Sequence, residues 1–63
     1  MTMNPTFLEP GTKVEVFGLA NDVDLNGQTA TVVRFEGEKK RYVLRMDSTW
    51  KGKAIAAVNV RVV

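Results

Sequence analysis

The stretch that decides the fold is Gln28–Met46, QTATVVRFEGEKKRYVLRM, in which two runs rich in β-branched and aromatic residues flank a polar loop. The loop, residues 36–40, contains one glycine and four charged residues. Two β-forming runs joined by a short, glycine-containing connection are typical of a β-hairpin. The sequence therefore predicts antiparallel strands over residues 28–35 and 41–46.

The alternation of apolar residues sets the register of this hairpin. Placing Val32 opposite Leu44 buries the largest apolar set, and it also puts Arg34 opposite Tyr42. The same register turns Val33 and Val43 outward as partners. The predicted inward residues are Ala30, Val32, Tyr42, Leu44 and Met46, and the further outward pairs are Thr31 with Arg45 and Phe35 with Arg41.

An outward strip of Val33, Phe35 and Val43 is unusual on a surface that faces water. Two explanations stay open at this point. Either the first strand bends and returns Phe35 to the core, or another surface covers the strip.

The remaining elements are predicted from shorter patterns. Val14 and Val16 alternate inward in a strand over residues 13–17, and Asn26-Gly27 closes a long Asn- and Asp-rich loop that Leu19 and Leu25 pin to the core. Downstream, the sequence predicts a loop over 47–52 with Trp50 at its tip, a strand over 53–57, a 3₁₀ turn over 58–60 and a last strand over 61–63.

Five short strands in 63 residues predict an all-β domain, a single five-stranded SH3-like barrel with a short 3₁₀ turn before the last strand. Residues 1–10 contain both prolines and are predicted to form an N-terminal arm, and residues 11–63 form the barrel. The apolar pair Phe7-Leu8 is expected to dock this arm across one open end of the domain.

Composition narrows the function. The chain has no cysteine and no histidine, which excludes disulfides and leaves a structural zinc site without its usual ligands. Such a small core is marginal, so tight packing or self-association is expected to stabilise it. The first residues show no leader-like pattern and no run is long enough to span a bilayer, so we expect a cytoplasmic protein with no membrane contact.

The motifs resemble those of a recurring SH3-like module, whose pattern is V-x-V-x-G-L, L-N-G-x-x-G-x-V, G-R-Y-x-V-x-L and N-L. Here they are Val14-x-Val16-x-Gly18-Leu19, Leu25-Asn26-Gly27, Arg41-Tyr42-x-Leu44 and Asn59-Val60. The resemblance covers residues 11–62 and implies an interaction or packing unit. Ala30 and Lys40 stand where the pattern has glycine. The resemblance implies that the core must make room for the methyl group of Ala30, and that the hairpin tip at Lys40 has a different shape.

The sequence contains few of the residues that enzymes commonly use for catalysis. Without histidine or cysteine the usual general base and thiol nucleophile are missing, and Ser48 carries no activating pattern. Asn21, Asp22, Asp24 and Asn26 could bracket calcium, but they lack the full spacing of a calcium loop and read more simply as turn residues. We therefore expect no enzyme activity from the monomer and no cofactor; an enzyme would need a site built between subunits.

Two kinds of partner are compatible with the surface. Residues 34–63 hold eight basic against three acidic residues, while residues 1–33 hold one lysine against four acidic residues. The basic hairpin, with Phe35 and Trp50 as stacking planes, predicts nucleic-acid binding as the alternative function; Trp50 is otherwise an aromatic folded over the barrel end.

The favoured prediction is protein–protein contact, including homo-oligomerisation. The protein-binding candidates are Val33, Phe35, Val43, Arg45 and Trp50, and the nucleic-acid candidates are Lys39, Lys40, Arg41 and Arg45.

Overall fold

The computed structural model describes residues 8–63, and these residues form an all-β fold of five strands and three single-turn 3₁₀ helices. The strands are β1 (Lys13–Val16), β2 (Thr29–Glu36), β3 (Arg41–Met46), β4 (Gly52–Ala56) and β5 (Val60–Val62). The 3₁₀ helices span Val23–Leu25, Gly37–Lys39 and Ala57–Asn59. Every strand lies within two residues of its predicted position, since alternation and turn residues define both ends.

All strand pairs are antiparallel, and they form one sheet in the order β4-β3-β2-β1-β5. The sheet is not closed into a barrel, because β4 and β5 are its two edges. The all-β prediction is confirmed at this level.

The register of the central hairpin is as predicted up to Val32. Val32 pairs with Leu44, Ala30 with Met46, and Thr31 with Arg45. Beyond this point the prediction is wrong, because a β-bulge at Val33 shifts the ladder by one residue. The pairs that follow are Arg34 with Val43, Phe35 with Tyr42 and Glu36 with Arg41.

The bulge reverses the predicted directions of Arg34, which is now exposed on the outer face, and of Phe35. Phe35 now alternates to the inner face, packs against the core and places its ring centroid 4.8 Å from that of Tyr42. A bulge adds one residue to one strand only, so every later side chain changes face. Of the two explanations for the apolar strip, the bend in the first strand is therefore correct for Phe35, while Val33 and Val43 stay on the outer face.

The core contains the inward residues that alternation predicts. Val14, Val16, Ala30, Val32, Tyr42, Leu44, Met46 and Ile55 are buried, and Leu8, Leu19, Leu25, Phe35, Ala57 and Val60 pack against them. Leu8 also donates its backbone N–H to the phenolic oxygen of Tyr42 at 2.7 Å. This contact agrees with a docked arm at Leu8, whereas Phe7 lies outside the described residues.

The long loop after β1 is closed by a side chain as well as by a turn. Asn26 accepts from the N–H of Leu19 through Oδ1 at 2.9 Å and donates to the Leu19 carbonyl through Nδ2 at 3.0 Å. Only Gly27 of the predicted dipeptide has a positive φ, 87°, while Asn26 is extended with φ −60°. The amide of Asn26 is thus committed to the loop closure rather than to a cation site.

The last turn begins one residue earlier than predicted, at Ala57. Asn59 ends this turn, and its Nδ2 donates to the carbonyl of Phe17 at 2.9 Å while its own carbonyl accepts from the Phe17 N–H at 3.0 Å. These two bonds hold the turn against the end of β1. The part of the chain that the structure describes contains no helix with the length and hydropathy needed to cross a bilayer.

Lys40 occupies a backbone conformation that favours glycine. It ends the turn between β2 and β3 with φ 52° and ψ 48°, at the position where the SH3-like pattern has glycine. A side chain in this left-handed region crowds the following carbonyl, which costs about 1–2 kcal/mol. The hairpin tip therefore keeps the shape that glycine would favour and carries a strained lysine there.

Replacing this lysine with glycine is expected to stabilise the domain. Lys40→Gly removes the steric cost but adds chain entropy to the unfolded state, so we expect the free energy of unfolding to rise by about 0.5–1 kcal/mol. Urea unfolding measures the change. Lys39→Gly is the matched control, because the φ of Lys39 is negative and glycine there should lower stability. Equal effects of the two changes would contradict strain at Lys40.

Candidate interaction face

The loop between β3 and β4 presents a tryptophan to solvent. Residues 47–51 connect the two strands, and the Met46 N–H donates to the Lys51 carbonyl at 2.9 Å across the base of the loop. The Trp50 N–H donates to the Met46 carbonyl at 2.8 Å, and φ of Trp50 is 63°. Its side chain is 69% exposed, so the interpretation of an aromatic folded over the end of the domain is wrong.

Trp50 breaks a local rule of hairpin loops. The left-handed position in such a loop is normally filled by glycine or asparagine, because a bulky residue there is strained. Burial does not repay this cost, since most of the indole surface faces water. Strained, exposed residues cluster at binding sites, where function rather than stability retains them.

Arg45 lies over the Trp50 ring. Its guanidinium carbon is 4.4 Å from the ring centroid, within the range of a cation–π contact. Arg45 is exposed on β3 and points to the outer face, opposite Thr31 on one side and Gly52 on the other. The pair therefore forms an ordered, amphipathic platform rather than two independent surface side chains.

The platform continues into an apolar row. Val43 is half-buried on β3, two residues before Arg45, and Val33 at the bulge is 43% exposed. Ala54 pairs with Val43 from β4. We call this surface the Trp50 face; its residues are Trp50, Arg45, Val43, Val33 and Ala54.

The base of the loop is fixed by a charged cluster around Asp47. Lys13 Nζ lies 2.9 and 3.0 Å from the two carboxylate oxygens, and the Thr29 hydroxyl donates to Oδ2 at 2.7 Å. These bonds connect β1, β2 and the start of the loop. The hydrogen bond from Thr29, followed by that from Lys13, lowers the pKa of Asp47 below its ordinary value.

This lowered pKa predicts an acid-dependent loss of stability. A carboxylate with a lower pKa in the folded state stabilises the fold above its unfolded pKa, and the contribution disappears as the pH falls below about 4. Asp47→Asn is therefore expected to flatten the decline in urea midpoint between about pH 4 and pH 2. Asp24→Asn is the control, since Asp24 makes no ion pair in the described range. A decline as steep in Asp47→Asn as in the unmodified chain would contradict the role of this cluster.

The predicted basic hairpin divides into two separate places. Lys39 and Lys40 lie exposed at the turn, where Glu36 and Glu38 are neighbours, and Arg41 bonds to the carboxylate of Glu36. The hydrogen bond from Arg41 is the main reason that the pKa of Glu36 lies below its ordinary value. Arg45 is four residues farther along β3, about 14 Å away at the rise of an extended strand. The four cations therefore do not form a single patch.

Sequence reasoning named all members of the Trp50 face except Ala54, and it added Phe35, which the bulge turns inward. It missed the left-handed conformation of Trp50, because the predicted loop over 47–52 ended in Gly52 and the hydrogen bonds of Met46 with Trp50 and Lys51 are not visible in the sequence. No family model matches this chain, and no similar sequence was found among curated proteins.

Proposed function

We propose that this chain is a non-catalytic SH3-like binding module that makes protein–protein contacts through the Trp50 face. The observation that carries the proposal is an exposed tryptophan held in a strained backbone conformation with an arginine stacked on it. Tryptophan and arginine are the residues most enriched among binding hot spots. An adjoining apolar row adds surface that a protein partner would bury.

The barrel is part of the same proposal. The strand order, the 3₁₀ helix at Ala57–Asn59 before the last strand, and the shared core of all five strands support an SH3-like architecture. A cytoplasmic location and the lack of catalytic activity stay predictions.

Selection of binding peptides tests the function. A random peptide library displayed on phage is selected on the immobilised domain, and enriched peptides are synthesised and titrated against the domain. The chain has one tryptophan, so the emission of Trp50 itself reports binding at the face. We expect enriched peptides that shift this emission and bind Trp50→Asn about thirtyfold more weakly. Failure to enrich any peptide, or equal binding to Trp50→Asn, would contradict the proposal.

Self-association through the same face is the form of the proposal that needs no other protein. Sedimentation over a wide concentration range measures it, with Val43→Lys as the variant that places a charge in the apolar row. An oligomer that Val43→Lys dissociates would identify the partner as a second copy. A monomer at all concentrations, or an oligomer that Val43→Lys leaves intact, would show that a second copy is not the ligand of this face.

A further inference from the structure

The outer edge of β4 pairs with no other strand within residues 8–63. The bonds from Met46 N–H to the Lys51 carbonyl and from Ala57 N–H to the Lys40 carbonyl define which residues of β4 bond to β3. These residues alternate along an antiparallel ladder, so Lys53 and Ile55 bond to β3. Gly52, Ala54 and Ala56 therefore point their N–H and C=O groups away from β3. The carbonyl of Ala56 accepts the first bond of the 3₁₀ helix that follows, which leaves both groups of Gly52 and Ala54 and the N–H of Ala56 at the open edge.

The other edge of the sheet offers less. β5 has three residues, and the N–H of Val60 already donates to the carbonyl of Ala57. The alternation of its bonds to β1 leaves only Val60 and Val62 pointing outward. β4 is thus the longer open edge, where both groups of Gly52 and Ala54 and the N–H of Ala56 can pair with an added strand.

The side chains along the β4 edge leave room for a ligand. The methyl groups of Ala54 and Ala56 lie on the outer face, which they share with Val43 and Arg45, and Gly52 has no side chain there. A side chain of an added strand beside Gly52 can reach across it to Arg45. One beside Ala54 can reach Val43, and these two positions are two residues apart on the added strand.

The charge near this edge selects an acidic ligand. Lys51 and Lys53 are exposed and form no ion pair in the part of the chain that the structure describes. The neighbouring carboxylate, Asp47, is neutralised by Lys13. Arg45, Lys51 and Lys53 therefore dominate the local field, which favours a carboxylate-bearing segment over a second copy of this lysine-bearing edge.

We propose that β4 binds an extended acidic segment of a partner protein as a sixth strand, with an acidic residue beside Gly52 and an apolar residue beside Ala54. The inference rests on the proposed function and specifies how the partner binds. Backbone hydrogen bonds supply affinity in this mode, and alternate side chains supply specificity. The Trp50 face receives the side chains that the added strand directs outward.

Two synthetic peptides test the mode directly. Acetyl-TVTETVTE-amide carries valine and glutamate alternately on one face, so that they lie two positions apart whether the peptide binds parallel or antiparallel to β4. Acetyl-TVTKTVTK-amide is its charge-reversed control. Nuclear magnetic resonance with amide hydrogen exchange measures binding at each residue. We expect the glutamate peptide to slow exchange at Gly52, Ala54 and Ala56, and the lysine peptide to leave it unchanged. Slowing at β5 instead, or equal slowing by both peptides, would overturn the proposal.

A proline variant tests the backbone bonds. Ala54→Pro removes an N–H that points to solvent and bonds to nothing in the sheet, so the edge strand should tolerate it. We expect it to weaken the glutamate peptide about tenfold, the equivalent of one hydrogen bond. Ala54→Val keeps the N–H and is the matched control for size. If Ala54→Pro does not fold, two N-methylated peptides provide the same test, one methylated at the odd-numbered residues and the other at the even-numbered residues. Full affinity of both peptides would overturn strand addition.

The outcomes separate this proposal from the function beneath it. Library-selected peptides that require Trp50 but leave the β4 amides unprotected would support the binding module and overturn strand addition. Failure of both the selected peptides and the glutamate peptide would overturn both. A fluorescein-labelled single-stranded oligothymidylate is included, and preferential binding of this oligonucleotide at Arg45 and Trp50 would overturn both in favour of nucleic-acid binding.

Discussion

Deletion of Val33 is expected to leave the domain folded, although it removes a residue from the middle of the longest strand. Val33 is the extra residue of the bulge, so its loss lets Val32 and Arg34 follow each other and keeps every pair that the ladder has. The alternation then runs without a break, with Phe35 still facing Tyr42. We expect the free energy of unfolding to change by about 1 kcal/mol or less, as for an ordinary surface substitution.

Deletion of Val43 is the matched control on the facing strand. It removes the same residue type at the same level of the ladder, but it leaves two unpaired residues on β2 instead of one. It also shifts Arg41 and Tyr42 against β4. A domain this small has only about 3–5 kcal/mol of stability, so this variant is expected to be unfolded.

Circular dichroism and urea unfolding measure both deletions. Because Val32 and Val33 are adjacent and identical, deleting either gives the same protein, and the remaining valine takes the inward position. An unfolded Val33 deletion would contradict the bulge and with it the inward position of Phe35. Equal stability of the two deletions would contradict the register that places Val43 at the same level.

Replacing Trp50 with asparagine is expected to weaken binding strongly while leaving the fold intact. Asparagine tolerates the left-handed backbone, which recovers about 1 kcal/mol of strain. Loss of the contact with Arg45 costs about 0.5–1 kcal/mol, so the two effects nearly cancel. Loss of a central hot spot weakens binding by about 2 kcal/mol or more, which corresponds to about thirtyfold in Kd.

The measurement pairs urea unfolding with anisotropy of a fluorescein-labelled peptide selected on the unmodified domain. Trp50→Phe is the control, because it keeps an aromatic ring for Arg45 and for the ligand. We expect it to bind more weakly than tryptophan and more strongly than asparagine. A marked loss of stability in Trp50→Asn would assign the tryptophan a structural role and contradict its interpretation as a binding residue.

The features that could be predicted from the sequence are those set by interactions between residues close together in the chain. The inward positions of Val32 and Leu44 were predictable because each continues the alternation of its own strand, Val32 after Ala30 and Leu44 between Tyr42 and Met46. The bulge was not predictable from that rule, because positions 32 and 33 are both valine and the pattern does not show that one of them is an extra residue. The deciding contact is between Phe35 and Tyr42, which only the assembled core brings together.

The same distinction holds for the candidate site. Trp50 and Arg45 were predictable as exposed candidates, one from its loop and the other from its outward position in the register. Their stacking depends on the left-handed turn at Trp50, and that turn depends on bonds between Met46 and Lys51 across the loop. Arg41 was a candidate for the same patch, but Glu36 neutralises it, and it lies four residues from Arg45 along β3.

By itself, the sequence determined the all-β class, the order and approximate ends of the strands, and most of the buried residues. These follow from local rules, because alternation, turn residues and chain length act within a few residues of each other. The tertiary structure alone decided the bulge at Val33, the left-handed turn that stacks Trp50 beneath Arg45, and the open edge of β4. Each of these depends on hydrogen-bond pairing or side-chain packing between strands, and such contacts form only when the whole sheet is assembled.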